Sequence, residues 1–119
     1  MALPIYDKGF TQEEIDFGFE KLIEGIKAKV AAHYANDFPT LKPQEIRVEP
    51  GRVYWKIVKY EPGSRYGTSV YGFVRKADGA ILKAASWKAP ALNHARGFVT
   101  DHDYGLGCTG PYGIAYLSR

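Results

Sequence analysis

The spacing of the apolar residues changes once along the chain, and this change constrains the fold more than any other feature. Between Ile15 and Tyr34 apolar residues recur every three or four positions, as in an amphipathic helix. From Glu45 onwards they recur every second position, as in half-buried strands. We therefore predict an α+β fold, in which one long N-terminal helix packs on an antiparallel β-meander of four to five strands.

The predicted helix covers residues 11–36 and follows an irregular N-terminal arm, residues 1–10. Thr11 and Glu14 have the spacing of a capping box, in which two otherwise unpaired backbone amides are satisfied reciprocally. Pro39 and Pro43 end the helix. Its apolar stripe consists of Ile15, Phe19, Leu22, Ile23, Ile26, Val30 and Tyr34.

The predicted sheet covers residues 45–86, with strands at 45–49, 52–60, 68–76 and 80–86. Ala77-Asp78-Gly79 predicts a tight hairpin between the last two of these strands. Residues 87–119 predict a loop-rich segment, with a helical turn near 91–95 and a last strand at 114–117 as possible elements. We expect the 119 residues to form a single domain.

Composition excludes several functional classes. The single cysteine, Cys108, rules out an internal disulfide and any zinc site with several thiolates. No apolar run approaches the ~18 residues that a membrane span requires, and the N-terminus lacks the features of a signal peptide. We expect a protein of the cytoplasm with no membrane partner. No catalytic motif is evident, so we expect no enzymatic activity.

The charge is concentrated in the middle of the chain. Residues 41–100 contain eleven basic and four acidic residues, whereas residues 1–40 contain four basic and seven acidic ones. A net charge of +7 over 60 residues attracts polyanions through its local field. Solvated lysines and arginines on an ordinary surface are the alternative interpretation.

Strand alternation predicts that aromatic and basic side chains share the face of the sheet that points away from the helix. Exposed rings stack on the bases of a single strand, and the cations contact its phosphates. We therefore expect non-catalytic binding of single-stranded DNA with little sequence preference. The predicted stacking residues are Tyr54, Tyr60, Tyr71 and Phe73, and the predicted phosphate contacts are Arg52, Lys56, Arg75 and Lys83. On the helix side we expect Val53, Trp55 and Ile57, with Val70, Gly72 and Val74.

A second group of candidates follows the sheet. One interpretation is a basic loop beside the binding face, formed by Trp87, Lys88 and Arg96. The alternative is an ordinary surface loop that Trp87 fixes to the core. Three alternatives to nucleic-acid binding are that about 30 C-terminal residues cover the aromatic face, that it is buried in a homodimer, or that it is buried against another protein, because interfaces also favour Tyr, Trp and Arg. Short meanders leave unpaired strand edges, so we also expect a homodimer.

Three runs in the C-terminal half are distinctive: Leu82 to Ala91, His94 to Gly97, and Gly105 to Gly113. With them, residues 64–119 resemble small uncharacterised proteins of tailed phages and environmental viral sequences. The resemblance implies a viral origin and supplies no catalytic residue. It implies two possible settings: genome replication in an infected bacterial host, or a virion or host-interaction role.

Two further motifs favour loops rather than sites. Gly105 to Gly110 matches G-x-G-x-x-G, but the strand, helix and acidic residue of a dinucleotide-binding unit are missing around it. Asp101, His102 and Asp103 match no standard metal-ligand spacing. A metal-dependent hydrolase using these three residues remains an alternative, and otherwise we expect no cofactor and no metal.

Overall fold

The computed structural model describes residues 4–114 of the chain. Helix α1 spans Gln12–Asp37, and five strands follow it: β1 (Glu45–Pro50), β2 (Tyr54–Tyr60), β3 (Gly67–Arg75), β4 (Ala80–Leu82) and β5 (Gly97–Phe98). The strands form one antiparallel sheet in the order β1-β2-β3-β4-β5. The predicted α+β fold is therefore confirmed.

Helix α1 begins at the predicted capping box. Glu14 N donates to Thr11 Oγ1 at 3.1 Å, and Thr11 N donates to Glu14 Oε1 at 3.0 Å. The predicted stripe forms the buried side of the helix, and Phe19 stacks on Trp55 of β2 with ring centroids 4.1 Å apart. Within residues 4–114, no helix has the length and apolar character needed to cross a membrane.

The strand boundaries differ from the predicted ones near the turns. Arg52 and Val53 belong to the turn before β2, where Gly51 N donates to Tyr54 O at 2.9 Å. Val53 is 50% exposed, so the prediction that it packs against the helix is wrong. Residues 91–95 are not helical, and β5 follows them instead. The predicted last strand at 114–117 lies, beyond Ile114, outside the described residues.

A bulge in β3 decides which of its side chains face the helix. Ile57 pairs with Gly72, but the next residue of β2, Val58, pairs with Val70, so Tyr71 is the inserted residue. Its side chain enters the core beneath α1, and Val70 packs on the opposite face. The predicted faces of Tyr71 and Val70 are wrong, because strict alternation does not account for an inserted residue.

The face of the sheet opposite α1 is covered only in part. Phe73, Ala80 and Leu82 form a second apolar cluster there, over which the segment after β4 packs Leu92 and Ala95. The N-terminal arm adds Tyr6, whose ring meets that of Phe98 edge to face at 5.2 Å. The covered part therefore corresponds to β3, β4 and β5. Towards β1 the face is more open, because Arg47 and Glu49 are exposed and Tyr54 and Lys56 are half-buried, whereas Val58 and Tyr60 are buried.

Candidate nucleic-acid interface

Six of the predicted residues remain on the accessible side of the sheet. A groove of about 410 Å³ is lined by three cations, Arg52, Lys56 and Lys88, and by the Tyr54 ring. The Lys56 ammonium group also lies 4.0 Å from the centre of the Trp87 ring. We call this surface the cationic–aromatic patch: Arg52, Tyr54, Lys56, Tyr60, Trp87 and Lys88.

Trp87 reaches the patch from the segment after β4 because Gly67 leaves room for it. A side chain on Gly67 would begin 2.9 Å from Trp87 Cη2 and 2.5 Å from Val58 Cγ1. The indole therefore rests against β2 and β3 at one edge, while the residue stays 45% exposed. Trp87 thus offers the patch an anchored ring that remains open to solvent.

Tyr60 has a different environment from the other rings of the patch. The Arg47 guanidinium carbon lies 4.2 Å from the Tyr60 ring centre, and Tyr60 Oη donates to Glu49 Oε2 at 3.0 Å. This hydrogen bond to the carboxylate is the main cause that raises the pKa of Tyr60. Tyr60 is only 9% exposed, so it contributes little free ring surface.

The site residues predicted from the sequence do not include Arg47 and Glu49, which border the patch on β1. Their positions could have been predicted, because they alternate with the inward-facing Ile46 and Val48. Glu49 Oε1 lies 3.9 Å from Lys56 Nζ, and Arg47 donates to Glu45 Oε1 at 2.6 Å. Arg52 and Lys88 have no ion pair within residues 4–114, so they supply the least neutralised charge of the patch.

Besides Tyr60, two more of the four predicted stacking rings are buried. Tyr71 is 2% exposed on the helix side, where its hydroxyl donates to Gly110 O at 2.5 Å and burial raises its pKa to about 12. Phe73 is 3% exposed within the second apolar cluster and meets the Tyr54 ring edge to face. The prediction that both rings face solvent is wrong, because a bulge redirects Tyr71 and the segment after β4 covers Phe73.

Arg75 is also buried, at 3% exposure, so its predicted place on an open face is wrong. It donates to both carboxylate oxygens of Asp78, from Nε at 3.1 Å and from Nη2 at 2.7 Å. Asp78 also accepts from the backbone amides of Tyr6 and Ala80. Burial raises the pKa of Asp78, but these hydrogen bonds outweigh it, and the pKa lies below its ordinary value. The Arg75–Asp78 pair therefore joins the hairpin to the N-terminal arm.

The remaining two cations lie away from the patch. Lys83 Nζ donates to Ile114 O at 3.0 Å and lines a separate groove with residues 109–114. Its neighbours along β4, Ile81 and Leu82, pack on opposite faces, so Lys83 follows Ile81 to the helix side. Arg96 Nη1 donates to His94 O at 2.7 Å, and no hydrogen bond or ion pair between described residues joins Arg96 to the patch.

The glycine-rich run folds around Asp103. This carboxylate accepts from Gly105 N and Gly107 N, both at 2.9 Å, and these two bonds lower its pKa. Asp101 Oδ2 accepts from Phe98 N at 3.0 Å. In residues 4–114, no group of three or more His, Cys, Asp or Glu side chains is placed to hold a metal ion. Asp101 and Asp103 therefore build turns.

Sequence comparison identifies a family whose model covers most of the described chain. The sequence model of DUF7717, a family of unknown function, matches residues 10–109. The chain belongs to this family. The region shared with DUF7717 contains α1, all five strands and every residue of the cationic–aromatic patch. No curated protein and no solved structure matches the chain.

Proposed function

We propose that this DUF7717 protein binds single-stranded DNA with little sequence preference and without catalysis. The observation that carries the proposal is the placement of Lys56 between the exposed Trp87 ring and a groove lined by Arg52, Tyr54 and Lys88. Ring surface and positive charge thus adjoin each other, as bases and phosphates do along a single strand. Stacking of an unpaired base on an aromatic ring contributes ~1–3 kcal/mol to binding, and this contribution depends little on which base it is.

The patch favours a single strand over a duplex. In a duplex the bases are stacked on one another and are not available to the rings of Trp87 and Tyr54. The exposed surface of these rings would therefore add nothing to the binding of a duplex. Phosphates of either form would still release counterions on contact with Arg52, Lys56 and Lys88. The patch offers roughly two usable rings rather than the four that the sequence predicts, so one copy should engage a short stretch of strand.

We further propose that the protein forms a homodimer through the outer edge of β1. Antiparallel pairing of two copies about Val48 would place Arg47 opposite Glu49 of the partner subunit, which is a favourable cross-strand pair. Pairing about Arg47 would instead place Glu45 of one copy opposite Glu49 of the other, so that two negative charges would face each other. The favourable register also brings the two patches onto one continuous sheet. Analytical ultracentrifugation should give twice the chain mass of 13.3 kDa, and a mass of one chain at all concentrations would contradict the dimer.

We place this activity in the replication of a tailed-phage genome, in the cytoplasm of the infected bacterium. The support for this setting is the resemblance carried by residues 82–91, 94–97 and 105–113. Replication exposes single strands of many different sequences, so a protein that binds them must have little sequence preference. The patch favours binding of this kind.

Replacing Trp87 with Ala should weaken binding to a labelled oligo-dT by ~1–3 kcal/mol, because one stacked base loses its ring. The fold should persist, since Trp87 is 45% exposed. Fluorescence anisotropy measures the affinity. Tyr112→Ala is the matched control, because Tyr112 is 69% exposed and packs near His33 of α1, away from the patch. Equal losses in the two variants would refute stacking on Trp87.

Replacing Lys56 with Ala should reduce the salt dependence of oligo-dT binding. The slope of the logarithm of affinity against the logarithm of salt concentration should fall by about 0.7, the value for one lost phosphate contact on a single strand. Titrations at several salt concentrations measure it. Lys27→Ala removes an equally charged but exposed lysine from α1 and should leave the slope unchanged. An unchanged slope in Lys56→Ala would exclude a phosphate contact by Lys56.

A further inference from the structure

The guanidinium group of Arg47 covers the ring of Tyr60 on the face of the sheet opposite α1. Ile46 and Val48 of β1 pack into the core beneath α1, so Arg47, which lies between them, belongs to the face that carries the cationic–aromatic patch. The guanidinium carbon lies 4.2 Å from the Tyr60 ring centre. Tyr60 is buried, whereas the Arg47 side chain is 43% exposed. Arg47 is therefore the outer member of this contact, and a ligand meets the guanidinium group before it meets the ring.

Carboxylates fix both members of the contact. Glu45 Oε1 accepts from Arg47 Nε at 3.2 Å and from Arg47 Nη2 at 2.6 Å, and Glu45 Oε2 accepts from Gly63 N at 3.2 Å. These bonds lower the pKa of Glu45, and the bond from Arg47 is the largest cause. Tyr60 Oη donates to Glu49 Oε2. The guanidinium group is therefore held in place before a ligand arrives, which reduces the side-chain entropy that binding would cost.

The ion pair with Glu45 determines which part of Arg47 is most useful to a ligand. Arginine binds a phosphate through its charge and through paired N–H groups. In Arg47 the carboxylate of Glu45 offsets the charge and occupies the edge formed by Nε and Nη2. The attraction for a phosphate is thereby reduced, whereas the flat surface of the guanidinium group is not used by these bonds. Unpaired bases stack on guanidinium planes as they do on aromatic rings.

Arg47 lies close to the anchored ring of Trp87. A Cβ atom on Gly67 would lie 3.6 Å from Tyr60 Cζ and 2.9 Å from Trp87 Cη2, so these two side chains approach the same point of β3. Because Arg47 covers Tyr60, only the Tyr60 ring separates the guanidinium group from this point. A strand that passes over the patch from Trp87 towards β1 therefore meets Arg47.

We propose that Arg47 forms a base-binding subsite of the patch, in which an unpaired nucleobase stacks on the guanidinium plane. The subsite extends the patch from β2 to β1 and adds a third stacking surface to the rings of Trp87 and Tyr54. It accepts any of the four bases, because every base has a flat face. The proposal rests on the proposed binding of single strands. It is compatible with the proposed dimer, because stacking uses the face of the sheet and strand pairing uses the edge of β1.

Replacing Arg47 with Lys separates stacking from charge. The variant keeps the positive charge and loses the planar group, so its affinity for oligo-dT should fall about two- to fivefold. The salt dependence of binding should match that of the wild type, because no phosphate contact is lost. Fluorescence anisotropy at several salt concentrations measures both quantities. An affinity of Arg47→Lys equal to that of the wild type would overturn the subsite.

The matched control is Arg96→Lys, which makes the same change away from the patch. Arg96 donates to His94 O and has no hydrogen bond or ion pair with a residue of the patch within residues 4–114. Its replacement should leave the affinity for oligo-dT unchanged. Equal weakening by Arg96→Lys would overturn the subsite, because the loss would then follow from any removed guanidinium group.

An oligomer without bases identifies the part of the strand that Arg47 contacts. A deoxyribose-phosphate oligomer of the same length, abasic at every position, keeps the phosphates and offers nothing to stack. The wild type and Arg47→Lys should therefore bind it with equal affinity. The same two- to fivefold loss on the abasic oligomer as on oligo-dT would overturn the subsite, since Arg47 would then contact the backbone.

The subsite and the binding of single strands fail in different ways. Wild-type protein that does not bind oligo-dT would contradict both proposals. Wild-type protein that binds oligo-dT more tightly than the abasic oligomer, with the same ratio of affinities in Arg47→Lys, would contradict only the subsite.

Discussion

Replacing Asp78 with Ala should lower the free energy of unfolding by about 3–5 kcal/mol. The buried Arg75 guanidinium would lose both of its Asp78 contacts, and the amides of Tyr6 and Ala80 would lose their acceptor. Urea unfolding measures the change. Asp7→Ala, in the exposed part of the arm, is the matched control and should cost no more than about 0.5 kcal/mol. A loss for Asp78→Ala as small as that of Asp7→Ala would contradict the account.

The same pair predicts a pH dependence with a definite sign. The pKa of Asp78 is lower in the folded protein than its ordinary value, so the unfolded state takes up the proton first as the pH falls. The stabilisation is therefore present at neutral pH and is lost as the pH falls through the lowered pKa. The stability difference between the wild type and Asp78→Asn should shrink on acidification. A difference that stays constant from neutral to acidic pH would show that Asp78 does not titrate with folding.

Replacing Gly18 with Ala should destabilise the fold by about 3 kcal/mol, at the upper end of the usual cost of overpacking. A Cβ atom on Gly18 would overlap the backbone carbonyl oxygen of Val99. The helix and the loop would have to separate, because neither backbone can rotate away as a side chain can. This loss should outweigh the ~1 kcal/mol that Ala gains over Gly in helix propensity.

Gly25→Ala is the matched control for this substitution on the same helix. A Cβ atom on Gly25 would meet the end of the Leu106 side chain, which is half-buried and can adopt another rotamer. The gain in helix propensity should offset most of that rearrangement, so the net change should stay below about 1 kcal/mol. Thermal and urea unfolding compare the two variants, and similar losses would refute the proposed difference between backbone and side-chain contacts.

The sequence predicts the secondary structure well because its strongest signals are local. The capping box at Thr11 and Glu14 fixes the start of α1, and the turn at Asp78-Gly79 fixes the β3–β4 hairpin. Gly79 has a φ of 73°, a conformation that glycine adopts without strain. The change of period from 3.6 to 2 separates the helix from the sheet. Each of these features depends on residues close together in the chain.

The candidate site is predicted less well because it depends on contacts distant in sequence. One inserted residue in β3 moves Tyr71 to the opposite face, and no local pattern indicates it. The burial of Phe73 depends on Leu92 and Ala95, which lie roughly twenty residues further along the chain. Arg75 is buried by the arm about seventy residues before it. The same segment places the Trp87 ring against Lys56 and adds Lys88 to the groove that Arg52, Tyr54 and Lys56 line.

The central claim is that the cationic–aromatic patch binds single strands through stacking and phosphate contacts. Its most direct test is the titration of labelled oligo-dT and of a duplex of equal length at two salt concentrations. We predict tighter binding to oligo-dT than to the duplex, and a steep loss of affinity at the higher salt concentration. No binding to oligo-dT at low salt, or an affinity that salt leaves unchanged, would contradict the claim. The first result would instead favour the patch as an interface with another protein.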